Sequence, residues 1–162
     1  DVAAHGNSAA LAGISLIGTT TAISDVHLHS VSAQHATFGI YMHNVRNSTI
    51  QYADFSYNTT GFSCTNSAAL SINDSAASYN ALAGFSLVTS STNTFNNCKA
   101  VSNGSESLTN GYGFVSYEGS SNIFSNCYAD NTQTATTSYW NLAAGFALVG
   151  NEMCSKITHC SA

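Results

Sequence analysis

Asp25, His27 and His29 lie within one short segment and are of the types that perform acid–base chemistry or hold a metal ion. Apolar Val26 and Leu28 alternate with them, so in a β-strand both histidines project from the face opposite to the apolar one. A histidine pair beside a carboxylate can transfer protons or contribute to a metal site. This segment is therefore the first candidate for catalytic chemistry.

The elements that would position this segment follow from a repeat that runs through the chain. A glycine followed by an apolar residue recurs, and strand-like alternation of apolar and polar residues follows each copy. These glycines are Gly13, Gly39, Gly61, Gly84, Gly113 and Gly145. A repeat of about 22 residues cannot bury its apolar side alone, but stacked copies form a continuous core. The pattern predicts an all-β fold, a single parallel β-helix of about six coils over residues 1–162 that is a segment of a longer solenoid.

Residues at equal distances after each glycine are expected to stack in columns. The first apolar position predicts one column of four phenylalanines, Phe62, Phe85, Phe114 and Phe146. The strings NTFNNCKA at 93–100 and NIFSNCYA at 122–129 place Phe95 on Phe124 and Cys98 on Cys127. Asparagines at one bend, Asn58, Asn80 and Asn103, are expected to form a hydrogen-bonded ladder.

The alignment of the first coil with the second, by position after each glycine, predicts which further residues belong to the candidate catalytic site. It aligns Ile23 with Ile50, and it places Asp54 of the second coil beside His27. It also puts Asp25 and Asp74 at one bend. The predicted site is therefore Asp25, His27, His29 and Asp54. The alternative is that the aspartates are bend residues and the histidines are solvated surface groups.

The last repeats are longer, which predicts loop insertions at 104–112 and 132–144 on one edge of the solenoid. Three aromatic residues, Tyr128, Tyr139 and Trp140, are candidates for binding a glycan or a protein by apolar stacking.

Two segments carry a family resemblance, GIYMHNVRNSTI at 39–50 and GFSLVTSSTNTFNNC at 84–98. They resemble the repeats of right-handed parallel β-helix proteins, the pectate-lyase-like superfamily with its NosD-like and carbohydrate-binding branches. That resemblance implies a right-handed coil. It implies either a polysaccharide lyase, hydrolase or epimerase, or a surface protein such as an adhesin or a phage tailspike.

The enzymes of that superfamily use clustered carboxylates for calcium with an arginine or lysine base, or paired aspartates. This chain has Arg46, Lys99 and Lys156 in separate coils and no Asp-Asp pair. The departure favours a protein without catalysis, and calcium is expected as a cofactor only under the enzymatic alternative. We expect no metal site, because cysteines in one column cannot surround a metal ion.

Composition excludes two further classes. With three basic residues and a net charge of −5, the chain has no basic patch for nucleic acid. No apolar run reaches the length of a membrane-spanning helix, so membrane insertion of this segment is not expected.

The sequence therefore predicts a rigid scaffold within a larger extracellular, cell-surface or virion protein, with a face for a glycan or protein partner. The alternative is a polysaccharide-active enzyme using the Asp25, His27, His29 and Asp54 face. Apolar columns that reach the last coil predict that further coils or a second subunit pack there.

Overall fold

The computed structural model describes residues 2–5, 11–104, 111–130 and 144–162. Within these ranges all regular elements are β-strands. They are β1 (Val2–His5), β2 (Ala12–Ile17), β3 (Ile23–Ser24), β4 (His27–His29), β5 (Val31–Gln34), β6 (Phe38–His43), β7 (Val45–Arg46), β8 (Thr49–Gln51), β9 (Thr60–Thr65), β10 (Ser71–Asn73), β11 (Ala83–Val88), β12 (Thr94–Asn96), β13 (Lys99–Val101), β14 (Tyr112–Tyr117), β15 (Ile123–Ser125), β16 (Tyr128–Asp130), β17 (Ala144–Val149) and β18 (Lys156–Thr158). No helix in the described ranges has the length and apolar character needed to cross a membrane.

The strands stack as a parallel β-solenoid. One six-stranded sheet has the order β17-β14-β11-β9-β6-β2, and a second has the order β18-β15-β12-β10-β8-β4. A third face is shorter: it contains the pairs β1-β5 and β13-β16, joined by single bridges such as Ser32 to Asp54 and Asp54 to Ala76. Each strand pairs with the equivalent strand one coil away, which confirms the predicted all-β solenoid.

The interior is built from the predicted columns. Phe62, Phe85, Phe114 and Phe146 are in register on successive strands, and the rings of Phe85 and Phe114 stack with centroids 4.8 Å apart. Phe95 is fully buried and meets Phe85 edge to face, so a second column interlocks with the first. Both predicted phenylalanine columns are confirmed.

The cysteine prediction is confirmed as well. Cys98 and Cys127 are buried one coil apart, and their thiols lie against backbone carbonyls, that of Cys98 against Asn96 at 3.5 Å and that of Cys127 against Ser125 at 3.3 Å. Contact with Cys127, together with burial, raises the pKa of Cys98. Within the described ranges all the cysteines are free thiols, and Cys64 is buried in a separate column.

Buried asparagines hold the backbone where the coil bends. The backbone N–H of Asn58 donates to Oδ1 of Asn80 at 2.8 Å, and that of Asn80 donates to Oδ1 of Asn103 at 3.0 Å. The amide of Asn58 also donates to the carbonyl of Phe55 at 3.0 Å. The predicted asparagine ladder is confirmed, and a second one links Asn93 to Asn122.

Each coil turns at corner residues whose φ is positive. At one corner these are His35, Tyr57, Tyr79 and Ser102, with φ of 61°, 60°, 55° and 53°. The left-handed conformation costs a residue with a side chain about 1–2 kcal/mol, and least for asparagine and aspartate. A side chain at such a corner points away from the core, so the corners decide what the solenoid presents to solvent.

The predicted register of the first coil is wrong. The pairing partner lies 26 positions ahead for Ile17, which faces His43, but 22 positions ahead for Ile23, which faces Val45. Four extra residues are therefore inserted between Ile17 and Ile23. Consequently Leu28, and not Ile23, pairs with Ile50.

Candidate functional site

The four residues predicted as a catalytic site do not come together as predicted. His27 and His29 lie on β4 and pair with Thr49 and Gln51 of β8. His27 Nδ1 is 2.6 Å from the hydroxyl oxygen of Thr49. The prediction that Asp54 lies beside His27 is wrong. The partner of His27 is Thr49, five residues before Asp54, and the four-residue insertion accounts for four of these five positions.

Asp54 lies on the third face of the solenoid and is held there by its neighbours. Its Oδ1 accepts hydrogen bonds from the hydroxyl of Ser56 at 2.5 Å and from the backbone N–H of Ser56 at 3.1 Å. The side chain of Gln34 lies 3.5 Å from Oδ2. Asp54 forms a single β-bridge with Ser32 of β5, so Ser32 is its neighbour in the first coil.

Asp25 and Asp74 also lie at different corners. The N–H of Asp25 donates to the carbonyl of Arg46, whereas that of Asp74 donates to the carbonyl of Asn96 on the next coil. The predicted shared bend is therefore wrong. Among the described residues no group of three or more His, Cys, Asp and Glu side chains is arranged to hold a metal ion.

Of the residues predicted to bind by stacking, only Tyr128 lies in the described ranges; Tyr139 and Trp140 lie outside them. Tyr128 is exposed on β16 and pairs with Lys99 of β13. Its hydroxyl donates to Oδ2 of Asp130 at 3.3 Å, and the charge of Asp130 raises the pKa of Tyr128. The ring of Tyr128 contacts no other aromatic ring among the described residues.

A different set of aromatic residues does form a continuous surface. His35, Tyr57 and Tyr79 occupy one corner on three successive coils, and we call them the aromatic ridge. The rings of Tyr57 and Tyr79 are nearly parallel at 9° with centroids 5.2 Å apart. The rings of His35 and Tyr57 are parallel within 10° at 6.3 Å. Tyr57 and Tyr79 are 51% and 52% exposed, so the ridge is open to solvent.

The asparagine ladder positions the ridge. Asn58 and Asn80 directly follow the two tyrosines, and their buried amides bind the backbone of the same bend. Asn58 Oδ1 also accepts a hydrogen bond from the N–H of Ala36, the residue after His35. The rings therefore stand on a backbone that is fixed from inside the solenoid.

Two shallow concavities flank the ridge. One of about 380 Å³ is lined by His35, Tyr57, Asn58, Tyr79, Asn80, Ala81, Ser102 and Gly104. The other, of about 310 Å³, is lined by His35, Ala36, Tyr57, Asn58 and Thr59. The described lining contains no Lys, Arg, Asp or Glu, so these surfaces offer aromatic rings, amides and hydroxyls rather than charge. Aromatic faces with a few polar groups are typical of sites for uncharged organic ligands.

A family model for a right-handed β-helix region matches residues 5–161, almost the whole chain. The chain belongs to the right-handed β-helix family.

Solved structures similar to this β-helix are phage tailspikes. The enzymatically active domain of tailspike protein 2 from bacteriophage CBA120 is 14% identical, with a TM-score of 0.75, and the match covers 93% of this chain and 23% of that one. The gp42 tailspike of Acinetobacter phage vb_AbaP_AS12 is 13% identical, with a TM-score of 0.67, covering 98% and 27% of the two chains. This β-helix thus spans about a quarter of each tailspike chain. No curated protein sequence matches it.

Sequence reasoning missed the aromatic ridge, although the signal was present. Tyr57 and Tyr79 stand directly before two asparagines that were identified as a ladder, so they share a position of the right-handed β-helix repeat. A search for aromatic residues recurring at one repeat position would have found them. His35 could not be added in this way, because the insertion in the first coil displaces it from that count.

Proposed function

We propose that this β-helix is a rigid segment of a larger extracellular, cell-surface or virion protein, and that it binds a glycan on the aromatic ridge. The observation that carries the proposal is the exposed stack of His35, Tyr57 and Tyr79 at one corner. Sugar rings have apolar faces that pack on aromatic rings, and stacked aromatic side chains offer such a surface with little loss of side-chain entropy.

The backbone conformation of the ridge tyrosines is the one found at the other corners of the solenoid. Tyr57 and Tyr79 adopt positive φ, a conformation that is uncommon for a bulky residue. Asparagine or aspartate would occupy the same corner at lower cost, and asparagine does so at other corners, for example at Asn97 and Asn126. Tyr52 has the same conformation at another corner, so the feature that distinguishes Tyr57 and Tyr79 is the stacking of their exposed rings on successive coils.

The fold supports the proposed setting. The two phage tailspikes described above share this fold, and one of them is an enzymatically active domain. We carry over to this chain only the idea of a surface or virion location, as a proposal that the full-length protein can test. A protein ligand for the same ridge is the competing outcome.

Glycan-array binding of the wild-type chain and of Tyr57→Ser/Tyr79→Ser tests the proposal. Tyr52→Ser is the matched control, because Tyr52 is also at a corner with positive φ and is 53% exposed, but it lies against His29 and outside the ridge. We expect specific binding by the wild type and the control, and none by the double variant with an unchanged circular dichroism spectrum. A wild type that binds no glycan, or a double variant that binds as well as the wild type, would contradict the proposal.

The enzymatic alternative on Asp25, His27, His29 and Asp54 has no comparable support. Hydrolysis of a glycosidic bond needs two carboxyl groups about 5–9.5 Å apart. Asp54 belongs to the third face and is engaged by Ser56, while Asp25 lies at a corner before the second sheet. We therefore propose no second function for this chain.

A further inference from the structure

The aromatic ridge ends at His35 on one side of Tyr57 and at Tyr79 on the other. The ring of Tyr57 has His35 on one face and Tyr79 on the other. Tyr79 has an aromatic neighbour in the ridge on one face only, because the next residue of the corner column is Ser102. The column therefore continues by one coil beyond its last ring.

The space at that coil is lined by small residues. Ala81, Ser102 and Gly104 form the border of the larger concavity next to Tyr79. Gly104 has a φ of 110°, where a residue with a side chain would be strained. No side chain of residue 104 therefore fills this part of the concavity. A flat ring placed on the outer face of Tyr79 would occupy the position that a fourth aromatic side chain would fill.

Polar groups around this position are hydroxyls and amides. Among the described residues none hydrogen-bonds the hydroxyl of Ser102, whose backbone N–H donates to the carbonyl of Asp130. The amide of Asn80 is already used, because Nδ2 donates to Asn103 and Oδ1 accepts from Asn58. The Ser102 hydroxyl, together with the tyrosine hydroxyls, is thus left to bind a ligand hydroxyl.

Building on the proposed function, we propose that the coil position of Ser102 is the principal subsite of the ridge. It takes a single neutral hexopyranose residue, whose apolar face packs on the outer face of Tyr79 and whose hydroxyls bond Ser102. A neutral sugar fits because the described lining offers no Lys or Arg to pair with a carboxylate or sulfate, and His35 is separated from this coil by two tyrosines.

The decisive variant is Ser102→Tyr, which supplies the missing ring from the protein itself. Tyrosine already occupies this corner at positions 57 and 79, so the substitution is compatible with the backbone. Its ring would stack on Tyr79 and fill the subsite, while the other three residues of the column stay unchanged. Tyr79→Asn instead removes the ring on which the sugar would stack, and asparagine readily adopts the positive φ of 55° at this position. Tyr52→Ser serves as the control.

Calorimetric titration of the 162-residue chain and its variants measures the affinity for each oligosaccharide. The probes are maltohexaose, cellohexaose, mannohexaose and an acidic oligogalacturonate. We expect the wild type and Tyr52→Ser to bind one or more of the neutral oligosaccharides, and both Ser102→Tyr and Tyr79→Asn to bind them at least about tenfold more weakly. Line broadening of the Tyr79 ring signals in the wild type would place the sugar on that ring.

Failure of this inference is distinguishable from failure of the proposed function. If the wild type binds, Tyr57→Ser/Tyr79→Ser does not, and Ser102→Tyr and Tyr79→Asn bind as well as the wild type, the Ser102 subsite is wrong while glycan binding by the ridge stands. If the acidic oligosaccharide binds better than all neutral ones, the assignment of a neutral sugar is wrong. If the wild type binds none of the probes here and no glycan on the array, both proposals fail. If Ser102→Tyr does not fold, Tyr79→Asn alone decides between these results.

Discussion

Oδ1 of Asn103 accepts two hydrogen bonds from Asn80, one from its backbone N–H and one from its side-chain Nδ2, both at 3.0 Å. Asn80 in turn accepts the backbone N–H of Asn58 at 2.8 Å, and all three residues are buried. The ladder therefore satisfies backbone groups that water cannot reach. An unpaired buried donor costs the full desolvation penalty, so the ladder is a strong determinant of the coil geometry.

Asn80→Ala is expected to lower the free energy of unfolding by about 1–3 kcal/mol, because it leaves the N–H of Asn58 buried and unpaired. Urea denaturation followed by circular dichroism measures the change. Asn73→Ala is the control, since Asn73 lies on β10 outside the ladder, does not have a positive φ, and donates from its amide to the hydroxyl of Ser71. Equal stability of Asn80→Ala and the wild type would show that the ladder does not stabilise the fold.

Phe95→Ala is expected to cost about 3–5 kcal/mol of unfolding free energy, because it removes a fully buried ring from the two interlocked columns. Ile123→Ala on β15 is the matched control: its side chain is 38% exposed, and the expected change is within about 0.5 kcal/mol. Thermal and urea unfolding of both variants test this. A loss at Phe95 no larger than that at Ile123 would mean that the columns are loosely packed.

Burial raises the pKa of Cys64 from its ordinary value of 9.0 to about 12, so this thiol stays protonated in the folded chain at pH 8. We expect iodoacetamide at pH 8 to label exposed Cys154 in the native protein and to label Cys64 only after unfolding. Mass spectrometry of the digested protein identifies the labelled residues. Labelling of both cysteines at one rate in the native state would contradict the burial of Cys64.

The same shift predicts how stability depends on pH. Because the folded pKa of Cys64 lies above the unfolded value, its contribution is complete below pH 9 and is lost as the pH rises from 9 to 12. The urea midpoint of the wild type should therefore fall more steeply over this range than that of Cys64→Ala. Parallel pH profiles of the two proteins would be the opposite result.

We expect no release of product from acidic or neutral polysaccharides, with or without calcium. The reason is the register: His27 faces Thr49, and Asp54 is bound to Ser56 on another face. A reducing-end assay on a polysaccharide panel tests the wild type together with His27→Ala and Asp54→Ala. Wild-type turnover that disappears in either variant would assign catalysis to this chain.

The sequence was sufficient for the parts of the fold that repeat. The phenylalanine columns and the asparagine ladder could be predicted because stacked coils require like side chains at like positions. The first coil could not, because an insertion between Ile17 and Ile23 has no marker other than the shifted apolar pattern. That single error brought Asp54 to the wrong neighbour and produced a catalytic cluster that the register separates.

The aromatic ridge was missed for a different reason. The repeat pattern was used to identify the residues that fill the core. Corner residues are not part of the core, so this use of the pattern does not find them. The sequence shows that Tyr57 and Tyr79 share a repeat position, and the structure adds that both rings are exposed and stack on each other.

The corners of this solenoid separate the residues that build it from those that it displays. Asn58 and Asn80 hold the bend from inside, so the preceding corner residue can change without disturbing a buried contact. The same corner holds three chemically different residue types on four coils: His35, Tyr57 and Tyr79, and Ser102. Corner residues could therefore be exchanged one coil at a time, at a cost of about 1–2 kcal/mol for each unfavourable corner residue and with no change to the core. This arrangement would allow the exposed corner surface to diversify while the scaffold below it remains constant.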